Sequence, residues 1–130
     1  MISQERVTQI LKEAAVLLEG HFLLTSGRHS DKYLQCARIF RNTKYSEELC
    51  AALAELFKDD NVELVVGPAM GAVQLAYEVS RHTGTENFFT ERDENGAMVL
   101  RRGFAIEPGQ RVLVVEDTIT AGGSAKEVVE

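Results

Sequence analysis

The sequence runs to 130 residues, 45% hydrophobic and 26% charged, with a formal net charge of −6, a composition that suits one soluble globular domain with a real core. It holds no run of about 18 apolar residues to span a membrane and no signal-peptide pattern at its start, so no membrane partner is expected and the cytoplasm is the expected location. The acidic balance argues against a nucleic-acid partner, and Cys36 and Cys50, the two cysteines, lack metal-ligand spacing and read as buried thiols.

Ile2 to Glu19 carries Val7, Ile10, Leu11, Ala14, Leu17 and Leu18 at helical spacing. This predicts an amphipathic packing helix, capped by Ser3 and stopped by Gly20. Short strands are expected at Phe22–Leu24 and Tyr33–Cys36, with Ser26-Gly27 allowing a tight turn in the polar connection between them. Asn42 or Thr43 can cap a second helix that presents Tyr45, Leu49, Ala52, Leu53 and Leu56 on one face and ends at Asp59-Asp60-Asn61. Val62 to Val66 predicts a strand; Gly67-Pro68-Ala69-Met70-Gly71 then leads to a third helix, from about Ala72 to His82, closed by Gly84. Backbone amides around Ala69 to Ala72 can bind an anion at that helix N-terminus, while a simple strand-to-helix turn remains the plainer reading. Asn87 to Thr90 predicts a strand, Asp93-Glu94-Asn95-Gly96 a hairpin turn, and Met98 to Leu100 the return strand. Arg92 stands on the outgoing arm and Arg101-Arg102 on the return; for the latter two, a solvated surface position is an equal reading. Glu107-Pro108-Gly109-Gln110 turns the chain into its last strand.

That strand opens the stretch on which the functional reading depends. Val112 to Val115 reads as a buried strand, Glu116 and Asp117 end it, and Thr118-Ile119-Thr120-Ala121-Gly122-Gly123-Ser124 follows, with Ser124 at a helix N-cap position. Such a loop gathers backbone N–H groups and hydroxyl donors around one point, which is what a phosphate group requires. The adjacent acids repel a phosphate unless they turn to hydroxyls or a cation, and a sugar phosphate with a divalent ion satisfies both demands. Neither G-x-x-x-x-G-K-[ST] nor a G-x-G-x-x-G after a strand is present. The helix opened at Ser124 has only seven residues to Glu130, below the roughly 12–15 at which an isolated helix becomes stable, so the chain is expected to be a fragment of a longer protein.

All thirteen positions from Val112 to Ser124 resemble the phosphoribosyl diphosphate signature of the type I phosphoribosyltransferases, although an ordinary strand, polar turn and helix is the structural alternative. The segment Phe22-Leu23-Leu24-Thr25-Ser26-Gly27-Arg28-His29-Ser30-Asp31-Lys32-Tyr33 resembles the F-x-L-x-S-G-x-x-S-x-x-Y flap of the orotate phosphoribosyltransferases. The resemblance implies an α/β fold with a parallel sheet and a small N-terminal hood. A single domain then spans 1–130, with the hood and flap in 1–40 and a core, incomplete at its C-terminal end, in 41–130. It implies transfer of the phosphoribosyl group to orotate, giving orotidine 5′-monophosphate and diphosphate. Thr118, Thr120, Ala121, Gly122, Gly123 and Ser124 then hold the 5′-phosphate, Glu116 and Asp117 the ribose hydroxyls, and Ala69, Met70 and Gly71 the diphosphate. Arg92 is the best placed of the three arginines to meet the leaving group, and Mg2+ is held mainly through the substrate. Ser26 and Arg28 help form the flap, and Tyr33 offers its ring to the base or serves only as a strand aromatic. His29 reads as a surface residue, and a homodimer is implied.

Three departures from the family pattern bear on this. Met70-Gly71 stands where many orotate enzymes carry a lysine, as does Thr25 before Ser26-Gly27-Arg28, and the acidic hairpin around Asp93 to Ala97 replaces a loop bearing lysine and histidine. They fit a subfamily that relies on arginines, and equally a phosphoribosyltransferase for another base. A non-catalytic regulator that binds phosphoribosyl diphosphate and nucleic acid is a third reading, which the net charge disfavours.

Overall fold

The structure is a computed structural model that describes residues 2–23 and 29–117. Helix α1 spans Gln4–Glu13, and the Ser3 hydroxyl caps it by accepting from the Arg6 amide at 3.1 Å. It stops well short of the expected Glu19. Ala15 takes a left-handed φ of 57°, and the chain enters strand β1, Leu17–Leu23, antiparallel to β2, His29–Leu34. Leu17 and Leu18 continue the helical spacing but pair with Leu34 and Tyr33, because cross-strand hydrogen bonding overrides a local pattern. Gly20 is no helix stop; it lies inside β1 at an irregularity between Glu19 and Phe22, where a residue without a side chain suits a bulge. Cys36 belongs to a 3₁₀ turn, Cys36–Arg41, rather than to the second strand.

That turn locks the N-terminal helix to the rest. Arg38 and Arg41 donate to the carbonyls of Ala15 and Ala14, the acceptors that the end of α1 leaves without a helical partner. Helix α2, Thr43–Glu55, is capped by Asn42, whose side chain accepts from the Lys44 amide at 3.0 Å. Arg6 grips Glu48 through both carboxylate oxygens, and the Tyr45 hydroxyl donates to Glu13 at 2.8 Å. Tyr45 and Leu49 pack on Ala14, Val16, Cys36 and Ile39, and Leu53 faces the main core, but Leu56, expected on that same face, is 56% exposed. The helix has ended by then, so the periodicity that would have buried Leu56 no longer applies.

The main sheet holds β3, Leu64–Pro68; β4, Glu86–Arg92; β5, Met98–Val99; and β6, Val112–Val114, in the order β5-β4-β3-β6. β3 runs parallel to both β4 and β6, while β5 returns antiparallel to β4. All five residues of β3 are buried, as its unbroken apolar run requires. The strand expected at Val112–Val115 is less enclosed: Val112, Leu113 and Val114 are half-buried and only Val115 is buried, its amide donating to Val66 O at 2.9 Å. Helix α3, Val73–Thr83, links β3 to β4 and ends at Gly84 in the left-handed region. Leu75, Ala76 and Val79 of α3 close the core with Cys50, Ala54, Val65 and Val115. Both cysteines are free and buried, and burial pushes the Cys50 thiol up to about 12. No helix among the described residues is long and apolar enough to cross a membrane.

Candidate active site

β4 lies on one side of β3 and β6 on the other, so the strand order reverses at β3. In parallel sheets the carboxyl ends of the strands at such a reversal form a crevice. Two loops meet there. The first is Ala69-Met70-Gly71-Ala72, which leaves β3 with Met70 88% exposed and includes a cis peptide between Ala69 and Met70. The Ala69 amide donates to Thr90 O at 2.7 Å and the Ala72 amide to Pro68 O at 3.1 Å. Of the amides expected to face an anion, those of Met70 and Gly71 therefore remain without such a bond among the described residues. The loop is compact because of glycine: a Cβ on Gly67 would lie 2.5 Å from Ala72 O and 2.8 Å from Ala72 Cβ.

The second loop begins at Glu116 and Asp117, both half-buried. The two loops touch, since a Cβ on Gly71 would lie 2.5 Å from Asp117 Oδ2. The Asp117 amide donates to Glu116 Oε1 at 3.0 Å, folding one carboxylate back over the other residue's backbone. Burial raises the Glu116 carboxyl to about 7, the Asp117 side chain adds to the rise by hydrogen bonding and charge, and the amide bond opposes it. Near neutral pH the Glu116 carboxyl is thus partly protonated, and a cation placed beside it would favour its ionised form.

On the far side of β3, Arg92 ends β4 and donates to Gly96 O at 2.9 Å, across a hairpin organised by Asp93 Oδ1, which accepts from the Asn95 and Ala97 amides. Its guanidinium thus braces its own turn. Arg102 pairs with Glu91 at 2.9 Å and lies over the Phe89 ring, while Phe104 stacks on Phe88 with centroids 4.6 Å apart. Arg101 and His29 are exposed. Tyr33 sits opposite Leu18 in the hairpin; its ring, together with Ser26, Arg28 and Thr118 to Ser124, falls outside what the structure describes. One contact was not legible beforehand: the Cys36 thiol donates to Asp117 O at 3.6 Å, between residues 81 positions apart.

No family model matches the chain. An orotate phosphoribosyltransferase of Caldicellulosiruptor saccharolyticus is 53% identical over 129 residues, which are 99% of this chain and 67% of that protein. The chain belongs to the orotate phosphoribosyltransferase family. The orotate phosphoribosyltransferase of Pelotomaculum thermopropionicum, 52% identical over the same proportions, agrees. The crystal structure of orotate phosphoribosyltransferase from Aeropyrum pernix matches with a TM-score of 0.74 at 25% identity, covering 95% of this chain and 71% of that one. The mostly parallel sheet is therefore that of an orotate phosphoribosyltransferase, and the chain spans about two thirds of the length of its relatives.

Proposed function

We propose that the protein transfers the phosphoribosyl group of phosphoribosyl diphosphate to orotate, giving orotidine 5′-monophosphate and diphosphate. The observation that carries this is the abutment of Asp117 on Gly71, which sets a carboxylate pair against an uncharged glycine-bearing loop at the carboxyl ends of β3 and β6. Glu116 and Asp117 accept from the ribose hydroxyls, Thr118, Thr120, Ala121, Gly122, Gly123 and Ser124 surround the 5′-phosphate, and the Met70 and Gly71 amides face the diphosphate, beside Ala69. As the anomeric bond to diphosphate breaks, positive charge grows on the ribose and negative charge on the leaving group. The acids then stabilise the first and Arg92 the second, once its guanidinium turns from Gly96. A ring nitrogen of orotate attacks the anomeric carbon, so no covalent nucleophile is required. Ser26, Arg28 and Tyr33 belong to the flap over the base.

We further propose that Mg2+ is carried mainly on substrate oxygens. Glu116 and Asp117 supply the hard carboxylate oxygens such an ion prefers nearby. When bound, Mg2+ neutralises charge on the departing diphosphate. We read residues 1–40 as hood and 41–130 as core of a single domain, working in the cytoplasm as a homodimer with no nucleic-acid or membrane partner. The test is orotidine 5′-monophosphate formation from orotate, phosphoribosyl diphosphate and Mg2+. Turnover with adenine, xanthine or uracil but none with orotate would overturn the choice of base, and failure to bind phosphoribosyl diphosphate would overturn the reaction class.

A further inference from the structure

We propose that Cys36 is a positioning residue for the acidic pair, a role that rests on the functional reading above. The sheet alone does not hold these acids. β6 ends at Val114, and among the described residues the Val115 amide makes the last backbone bond to β3, so Glu116 and Asp117 lie beyond the ladder. Their anchoring comes from elsewhere. The Asp117 amide is taken by Glu116 Oε1, the Asp117 carboxylate rests against Gly71, and the Asp117 carbonyl accepts from the Cys36 thiol. That thiol is 8% exposed and opens the 3₁₀ turn directly after the hood hairpin. Its neighbour Gln35 is fixed by a hydrogen bond that its backbone amide donates to Val16 O at 2.9 Å, and Cys36 packs with Ala14, Val16 and Ile39.

The donor is therefore held by the junction between hood and core, and the acceptor is the carbonyl from which the proposed phosphate loop departs. A thiol is a weak donor, but here it is buried and meets the carbonyl of a half-buried residue. Hood placement and acid placement thus share one contact, which links the segment proposed to cover the base to the residues proposed to hold the ribose.

The test compares three proteins: the parent, Cys36→Val, which keeps a similar volume without a donor, and Cys36→Ser, which keeps a donor. The expected result is a three- to tenfold rise in KM for phosphoribosyl diphosphate in Cys36→Val with kcat within about twofold, and a return to within about twofold of the parent KM in Cys36→Ser, as the loss of one modest hydrogen bond predicts. In the ligand-free proteins, the carbonyl carbon resonance of Asp117 is expected to move in Cys36→Val and to stay near the parent position in Cys36→Ser. Parent-like KM and resonance in Cys36→Val would overturn the proposal, as would a pattern in which valine restores function and serine does not, since that assigns Cys36 to packing. A parent protein that binds no phosphoribosyl diphosphate would instead overturn the functional reading, and the resonance comparison would still decide whether the thiol positions Asp117.

Discussion

β3 and β6 run side by side in the same direction, yet they leave the sheet with opposite chemistry. After Pro68 the chain presents backbone: Ala69, Met70 and Gly71 are exposed, uncharged and turned tightly enough that Gly67 cannot carry a Cβ. After Val115 it presents charge, two half-buried carboxylates with one raised to about 7. In the proposed reaction the first loop offers amide dipoles and the second accepts from hydroxyls, and each would need the other to stay uncluttered. Gly71 is where that requirement becomes geometric, because any side chain there enters the space of the Asp117 carboxylate.

The comparison breaks hardest at Gly67. Gly67→Ala drives a methyl into the Ala72 carbonyl, which is backbone and cannot swing aside; a loss of about 2 kcal/mol is expected, a fall in Tm of roughly 10 °C, and an unchanged melting curve would show that the loop is looser than described. Gly71→Ala meets a carboxylate that can rotate, so its effect should fall on binding. Calorimetry is expected to show about tenfold weaker affinity for phosphoribosyl diphosphate, with a smaller Tm change than Gly67→Ala; equal losses of Tm would erase the distinction between the two glycines.

The acidic side can be sharpened by pH. Glu116 is held at about 7 in the fold, against roughly 4.3 for an ordinary glutamate. Between those values the folded chain keeps a proton that the unfolded chain has released. The stability it contributes is complete below the unfolded value and is lost as pH rises through 7. In magnesium-free buffer, Tm of the parent should therefore fall more between about pH 5 and pH 8 than that of Glu116→Gln; parallel curves would mean that Glu116 is not held above its ordinary value. The smallest effect belongs to Arg102, whose side chain is 62% exposed where it pairs with Glu91. Arg102→Ala should shift Tm by about 1–2 °C and leave affinity unchanged, and a large affinity loss would place that guanidinium in the site.

Features written in local chemistry were legible in the sequence. Ser3, Asn42 and Gly84 cap helices because their side chains or backbone freedom act within a few residues, and Asp93 to Gly96 makes a hairpin for the same reason. Leu17 and Leu18 misled because a helical stripe and a strand can share leucines, and the pairing to Leu34 and Tyr33 that decides between them is non-local. The acids and Gly71 could be named separately, but nothing in their spacing placed a glycine against Asp117 or a thiol on its carbonyl. Nor did the sequence show that Arg92, expected to reach toward a leaving group, also donates to Gly96 O of its own turn.

The register of the parallel strands has one more consequence. Leu64 is level with Glu86 on one side and Val112 on the other, and Val66 with Phe88 and Val114. Neighbouring strands lie about 4.8 Å apart, so the sheet works as a ruled scale with three marks: a guanidinium-bearing strand end at Arg92, a neutral one at Gly71, and an acidic one at Glu116 and Asp117. Charge runs from positive to negative over roughly 10 Å, two such intervals. The hydrogen-bond ladder, not the side chains, sets the order in which the basic, neutral and acidic strand ends stand beside one another.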